Sequence, residues 1–378
     1  MKKIIFISIC FLSVSCSPTG KYNNYFDGEI KEYDSFLFEE DLSTADTLSL
    51  PESVMAIGGL RMIDSMLLID KGDQKTNMTI LNLNDGRISA DIAFNGRGPN
   101  EYILFLTFGQ YIKDPDKISL YTFNDDLSIR LLNVTDSWKK NTTVIEEEKK
   151  IDFKDVPRFH FCQGMFFLND GSVFAKYQAS YNDARDLIFF PAEYDLINAK
   201  GKKEVIPFFG KDLPSNPLMS HFMDFLYTGV TQIKPDGTKV VDGMYFMDYL
   251  NFIDLEKKSA FGMKYRDAVS YEEFKNMSRE EYFERSRHSY SDLSVTDDYV
   301  FCLYQGNNSN NKDSFENMRI RIFDWNGTPL ASLKPDRNVF CIAFDEKTNR
   351  LYASDLEDRI FIYDLNEIID KISGLRLS

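Results

Sequence analysis

Residues 95–102, Asn-Gly-Arg-Gly-Pro-Asn-Glu-Tyr, place one arginine and one glutamate among residues that favour turns. Such a mixture could cradle a phosphate, position a catalytic acid or form a tight turn. A phosphate-binding loop would end in Lys-Ser or Lys-Thr and lead into a helix, whereas this stretch lies between two β-like runs. A phosphate cradle is therefore excluded. Two interpretations remain, a structural turn and a ligand contact through Arg97 or Glu101.

The other residue types that commonly carry chemistry form no recognisable site. His160, His221 and His288 are 61 and 67 residues apart, and none has a partner at metal-ligand spacing. The sequence also has no Gly-x-Ser-x-Gly element to present a nucleophilic serine. We therefore predict no catalytic residue, no metal and no cofactor, and we expect a binding module for a protein, a peptide or a glycan.

The first sixteen residues have the pattern of a secretory signal that ends at a cysteine. Two lysines precede an apolar run of roughly ten residues, too short for the ~20 that a membrane-spanning helix needs, and small residues then lead to Cys16. The end of this segment resembles the relaxed lipobox that is common in Bacteroidota lipoproteins. We expect Cys16 to carry the lipid, with simple cleavage and release as the alternative. Because no acidic run follows Cys16, we expect the periplasmic side of the outer membrane.

The charge of the chain restricts its partners. The sequence has 44 Lys and Arg against 59 Asp and Glu, a net charge of −15. Without residues 1–15, which contain two lysines, the charge becomes −17. Such an acidic chain is a poor partner for nucleic acid or for an anionic membrane surface. The only membrane contact that we expect is the lipid on Cys16.

One motif recurs six times along the chain. Each copy is a β-like run that ends in Asp or Asn plus an apolar residue and is followed by a turn and a second β-like run. The acidic or amide residues are Asn82, Asn133, Asp195, Asp254, Asp324 and Asp364. Their intervals of 51, 62, 59, 70 and 40 residues fit blades of four short strands. An Asp or Asn side chain bonds readily to backbone N–H groups just ahead, so we expect it to begin the turn to the outermost strand. The repeat predicts an all-β, six-bladed β-propeller.

The ends of the chain complete this prediction. After the sixth motif only residues 366–378 remain, which read as a short amphipathic helix and leave the last blade one strand short. We expect an N-terminal strand within 36–51 to close that blade. The predicted organisation is a signal peptide at 1–15, a tether at 16–33, the propeller at 34–370 and a tail at 371–378.

One segment within the propeller interrupts the β pattern. Ser270-x-x-Glu273 and Ser278-x-x-Glu281 are successive capping boxes, which predict a helical insertion over 270–288. Such an insertion could cover one end of the channel as a lid or a partner surface, or it could simply pack on the ring.

With the repeat in place, residues 95–102 fall between the first and second blades. Gly96, Gly98, Pro99, Glu101 and Tyr102 resemble the Gly-x-Gly-Pro-x-Glu-Phe/Tyr signature found between blades in NHL-type propellers and in TolB-like six-bladed propeller lipoproteins of Bacteroidota. The resemblance implies a mainly architectural stretch, in which the glutamate accepts backbone N–H groups and Arg97 pairs nearby. Some six-bladed propellers are lactonase-like and hold calcium in the channel, so a calcium-dependent hydrolase is the alternative function.

Overall fold

The structure is a computed structural model that describes residues 26–376 except 52–53, 73–74, 85–88, 125–127, 151–161, 179, 182–188, 191, 211–226, 271–272, 274–276, 279–280, 282–283 and 309–314. Three strands precede the first blade: β1 (Glu29–Tyr33), β2 (Phe38–Asp41) and β3 (Asp46–Leu48).

Six antiparallel sheets then follow one another along the chain, each with its strands in sequence order. Blade 1 consists of β4 (Ile57–Ile63), β5 (Met66–Lys71), β6 (Thr76–Asn82) and β7 (Ala90–Phe94). Blade 2 consists of β8 (Tyr111–Asp114), β9 (Lys117–Phe123), β10 (Ser128–Asn133) and β11 (Ile145–Lys150), with helix α1 (Val134–Lys140) between its last two strands. Blade 3 consists of β12 (Cys162–Phe167), β13 (Val173–Tyr177), β16 (Glu193–Ile197) and β17 (Lys203–Ile206). Between β13 and β16 in the chain, β14 (Ser180–Tyr181) and β15 (Phe189–Phe190) form a separate two-stranded sheet.

The second half of the chain forms three further blades. Blade 4 consists of β18 (Gly229–Ile233), β19 (Lys239–Met244), β20 (Tyr249–Asp254) and β21 (Ser259–Tyr265). Blade 5 consists of β22 (Tyr290–Val295), β23 (Tyr299–Tyr304), β24 (Arg319–Asp324) and β25 (Pro329–Lys334). Blade 6 contains β26 (Cys341–Asp345), β27 (Arg350–Ser354) and β28 (Ile360–Asp364), and helix α2 (Asn366–Arg376) follows it as predicted.

The N-terminal strands form a belt, residues 26–48, along the outside of blades 4, 5 and 6. β1 pairs in parallel with β21, and β2 pairs in parallel with β25. β3 pairs antiparallel with β28 and supplies the fourth strand of blade 6, which confirms the predicted closure. The tether prediction is wrong for residues 26–33, because Phe26 and Tyr33 are buried and the segment between them includes a fifth strand of blade 4. Residues 16–25 lie outside the described residues.

Five copies of the repeated motif lie where the sequence predicts, at the end of the third strand of a blade. The side chains accept hydrogen bonds from backbone N–H groups ahead of them, as at Asp324, whose Oδ1 accepts from Asn326 and Thr328 at 2.8 and 2.9 Å. Blade 3 differs, because Asp195 lies inside β16 and Asn198 accepts the corresponding bonds from Lys200 and Lys202. In that blade the sequence therefore predicts the turn three residues too early.

The hydrophobic core is divided among the interfaces between blades. Each of six clusters of buried side chains joins two neighbouring blades, and the last joins blade 6 to blade 1. The cluster between blades 2 and 3 has the fewest buried side chains among the described residues.

The two ends of the channel are named after the loops that surround them. The turn face carries the turns between first and second strands, at 64–65, 115–116, 168–172, 234–238, 296–298 and 346–349, and the link face carries the connections between blades, such as 95–110 and 335–340.

Candidate functional site

The signature at 95–102 connects β7 to blade 2 and has the contacts of a turn. The Glu101 carboxylate accepts the Gly98 N–H at 2.7 Å, and a Cβ atom at Gly96 would overlap that carboxylate. Tyr102 is fully buried, and its hydroxyl lies 2.8 Å from the hydroxyl of Thr122 in blade 2. Glu101 and Tyr102 therefore fix the passage from one blade to the next.

Four residues of the 95–102 stretch lie at the surface. Pro99 and Arg97 are among them, and Arg97 makes no ion pair with any described residue. The cation that does contact the signature is Arg130, which donates to the Glu101 carbonyl and lies 5.0 Å from the centre of the Tyr102 ring. A ligand contact through Arg97 stays a prediction.

The inner strands enclose a cavity of about 430 Å³ that opens on the turn face. Its walls come from blades 1 to 5 and combine apolar side chains with at least as large a share of polar groups. The polar residues include Arg61, Gln110 and Gln232, and the mouth carries Lys113, Asn169, Lys234 and Asp236. Convergent polar groups of this kind fix the orientation of a ligand in a binding cavity.

Arg61 is the charged group at the centre of this channel. Its Nη2 lies 3.2 Å from Oδ2 of Asp70, which extends from the second strand of blade 1 past Gly59. A side chain at Gly109 would overlap the guanidinium, so the glycine backbone of the 95–110 connection forms the opposite wall. Nε of Arg61 and Oδ1 of Asp70 have no hydrogen-bond partner among the described residues. Of these two residues, Arg61 lines the channel cavity and Asp70 does not.

A second carboxylate lies near this pair. Burial raises the pKa of Asp292 to about 7, although the N–H groups of Ile342 and Leu293 and the charge of Arg61 act in the opposite direction. A pKa near 7 means that this carboxyl group gains or loses its proton near neutral pH. Its hydrogen bond from Ile342 also connects the inner strands of blades 5 and 6.

A groove of about 420 Å³ lies beside the channel, between blades 2 and 3. Ile112, Tyr121, Phe167 and Leu168 line both the groove and the channel, so the two spaces are neighbours that share these side chains. The rings of Tyr121 and Phe167 stack with their centres 4.8 Å apart at this junction. Gln110 bridges the same two blades through the backbone N–H and carbonyl of Phe167. The groove thus lies at the interface between blades 2 and 3, where the cluster of buried hydrophobic side chains is the smallest of the six.

The remaining predicted positions are placed as follows. The capping contacts of Ser270 with Glu273 and of Ser278 with Glu281 are present, while much of the predicted insertion lies outside the described residues. Cys16, His160 and His221 lie outside them too, and His288 stacks on Tyr245. Within the described ranges, no group of three or more His, Cys, Asp or Glu residues is placed to hold a metal ion, and no helix has the length and apolarity of a membrane span.

The channel residues were missed by sequence reasoning. Arg61, Gln110 and Gln232 come from three blades and follow no common spacing. The one local signal was Gly58-Gly59 within a β-like run, since glycines inside a strand often mark a close approach of another group.

The family to which this chain is similar has the same architecture. Residues 60–347 match the family described as "TolB-like 6-blade propeller-like". The β-propeller domain of Cps50 (Swd1) from Myceliophteria thermophila is 13% identical with a TM-score of 0.42, over 85% of this chain and 99% of that one. Raptor from Chaetomium thermophilum is 11% identical with a TM-score of 0.42, over 86% of this chain and 29% of its own length. No curated protein sequence matches. The family match covers most of the chain, and the chain therefore belongs to the TolB-like six-bladed propellers.

Proposed function

We propose that the protein is a lipid-anchored binding module without catalytic activity of its own, and that it holds an extended segment of a partner protein in the channel mouth and the adjoining groove. The adjacency of the two spaces, which share Ile112, Tyr121, Phe167 and Leu168 in their walls, is the observation that carries this proposal. It favours an elongated ligand over a compact one. Apolar side chains of the segment would enter the groove, and its backbone carbonyl groups would accept hydrogen bonds from the Arg61 guanidinium, which lines the channel.

A rigid ring suits this role. The walls of the site lie on strands and on short turns, so little conformational entropy is lost when a partner binds. The alternative function, a calcium-dependent hydrolase, has less support, because the guanidinium of Arg61 lines the channel and would repel a cation there. Calcium-dependent turnover of a lactone, phosphoester or glycoside, lost on changing one channel carboxylate, would favour that alternative.

We expect Ile112→Asp to abolish partner binding. Ile112 lines both parts of the site and is 39% exposed, so a carboxylate there would place a charge in the apolar groove with little effect on the fold. Crosslinking in native envelopes should recover the same partner with the wild type and with Leu356→Asp. Leu356 is 76% exposed on the link face and is the matched control.

Equal recovery of that partner by Ile112→Asp would contradict the proposed site. Melting curves of both variants check that the ring is intact. If the captured ligand survives protease digestion and is removed by glycosidases, the occupant is a glycan instead of a protein segment.

We also expect Cys16→Ala to remove the lipid anchor. Cells grown with a palmitate analogue should label the wild type and leave the variant unlabelled, and the variant should move to the soluble fraction. Persistent labelling would contradict lipidation at this residue. Protease treatment of intact cells tests the proposed periplasmic side, where the ring should be protected.

A further inference from the structure

A second cavity, of about 290 Å³, lies on the link face between blades 4 and 5. Its described walls include the 245–248 turn, the end of β21 and the residues just before β22. It is distant from the mouth of the channel, which opens on the turn face. One side of this cavity is formed by Arg285, Ser286 and Arg287, at the end of the predicted insertion, and by Ser289 just after it.

Arg321 forms the floor of the cavity and is held rigidly. Only 6% of Arg321 is exposed, and its Nη1 donates to Oδ1 of Asp248 at 2.7 Å and to the hydroxyl of Tyr290 at 3.1 Å. Its guanidinium carbon lies 3.5 Å from the centre of the Tyr304 ring. Packing and hydrogen bonds thus fix the orientation of the guanidinium before any ligand arrives.

Two buried polar atoms at this cavity have no partner. Nε of Arg321 and Oγ of Ser286 make no hydrogen bond within the described part of the chain, and Ser286 is only 3% exposed. Buried polar groups in folded proteins are nearly always hydrogen-bonded, so two unused donors beside one cavity require an explanation. A ligand atom with free electron pairs would accept from both.

The charges around the cavity favour an anion. Arg285 and Arg287 line its mouth and are exposed, and with Arg321 they make three guanidinium groups around one space. The two lining carboxylates are Asp248, already paired with Arg321, and Asp267. At the exposed mouth, Arg285 pairs with Glu273 at 3.0 Å and Arg287 donates to the Gly306 carbonyl at 2.8 Å, and solvent-exposed contacts of this kind are weak enough for an anion to replace.

We propose that this cavity binds an oxyanion group, a carboxylate, phosphate or sulfate carried by a ligand. Nε of Arg321 and Oγ of Ser286 donate to the anion at the floor, and Arg285 and Arg287 neutralise its charge at the mouth. Charged oxygen acceptors make the stronger class of hydrogen bonds, and a guanidinium matches the geometry of such groups. This site does not depend on the proposed function of the channel.

Titration calorimetry of the mature chain with inorganic phosphate, sulfate and acetate tests the proposal. We expect saturable binding of at least one anion, weakened about tenfold in Ser286→Ala, the loss expected for one hydrogen bond to a charged group. Arg287→Gln should weaken binding too. Arg266→Gln removes the same charge from a neighbouring exposed residue that does not line the cavity, and it should bind within about twofold of the wild type.

The anion that binds most tightly identifies the chemical group. The absence of saturable binding for all three anions would overturn the proposal. Equal binding by the wild type, Ser286→Ala and Arg287→Gln would also overturn it, because the anion would then be adventitious.

Discussion

Replacing Asp242 by alanine is expected to lower the free energy of unfolding by about 3–5 kcal/mol, the cost of leaving a buried charge without its partner. Asp242 and Lys176 are both fully buried between blades 3 and 4, with Nζ 2.5 Å from Oδ1. The hydroxyl of Tyr194 donates to the other carboxylate oxygen at 2.6 Å, and Asn251 donates to the same oxygen at 3.3 Å. The alanine variant leaves the Lys176 ammonium group in an apolar interface. Urea unfolding measures the loss.

Two further variants separate the ion pair from its surroundings. Lys176→Met combined with Asp242→Leu removes both charges and should recover most of the stability. Glu204→Gln breaks the ion pair with Lys258, which joins the same two blades but is half exposed at both residues, and it should change little. A small loss in Asp242→Ala would contradict the importance of this network.

Removing the N-terminal belt is expected to prevent formation of the closed ring. A chain that starts at residue 49 lacks the fourth strand of blade 6 and the buried side chains of Phe26, Tyr33 and Leu42. Each buried side chain of this size contributes about 1.5–3 kcal/mol, so the sum approaches the ~5–15 kcal/mol that stabilises a typical domain. We expect aggregation or a broad melting transition in calorimetry.

A chain that starts at residue 26 is the matched control. It keeps all three belt strands and should melt in one sharp transition near the temperature of the mature protein. If the chain that starts at residue 49 melts at that temperature as well, the belt does not stabilise the ring.

The architecture could be predicted because its signals are local. An Asp or Asn at the end of a strand accepts hydrogen bonds from the turn that follows it, so the motif predicts the end of the third strand of a blade without any information from the rest of the chain. Four such residues are Asn82, Asp254, Asp324 and Asp364. Counting strands then showed that the last blade needed one from the N-terminus. In blade 3 the motif predicts the turn three residues too early, because Tyr194-Asp195-Leu196 has the residue types of the motif but lies in the middle of a strand.

The sites could not be predicted because the ring brings together residues from distant blades. Arg61 and Gln232 share the channel, and Arg285 and Arg321 share the second cavity, yet nothing in their local sequence marks them. The polar sequence of residues 26–33 predicts a tether instead of a strand. A fifth strand on the outside of a blade buries few side chains, so its sequence is as polar as that of a tether.

The belt also determines when the ring can form during synthesis. β1, β2 and β3 are made first, but their partners are β21, β25 and β28, which lie more than two hundred residues later in the chain. Until those strands are available, the belt has exposed strand edges that can pair with other chains. Contacts between such distant segments also slow folding. Blade 4 therefore reaches its full width only after residue 265 has been made, blade 5 after residue 334 and blade 6 after residue 364, so the ring closes only when nearly the whole chain has been synthesised.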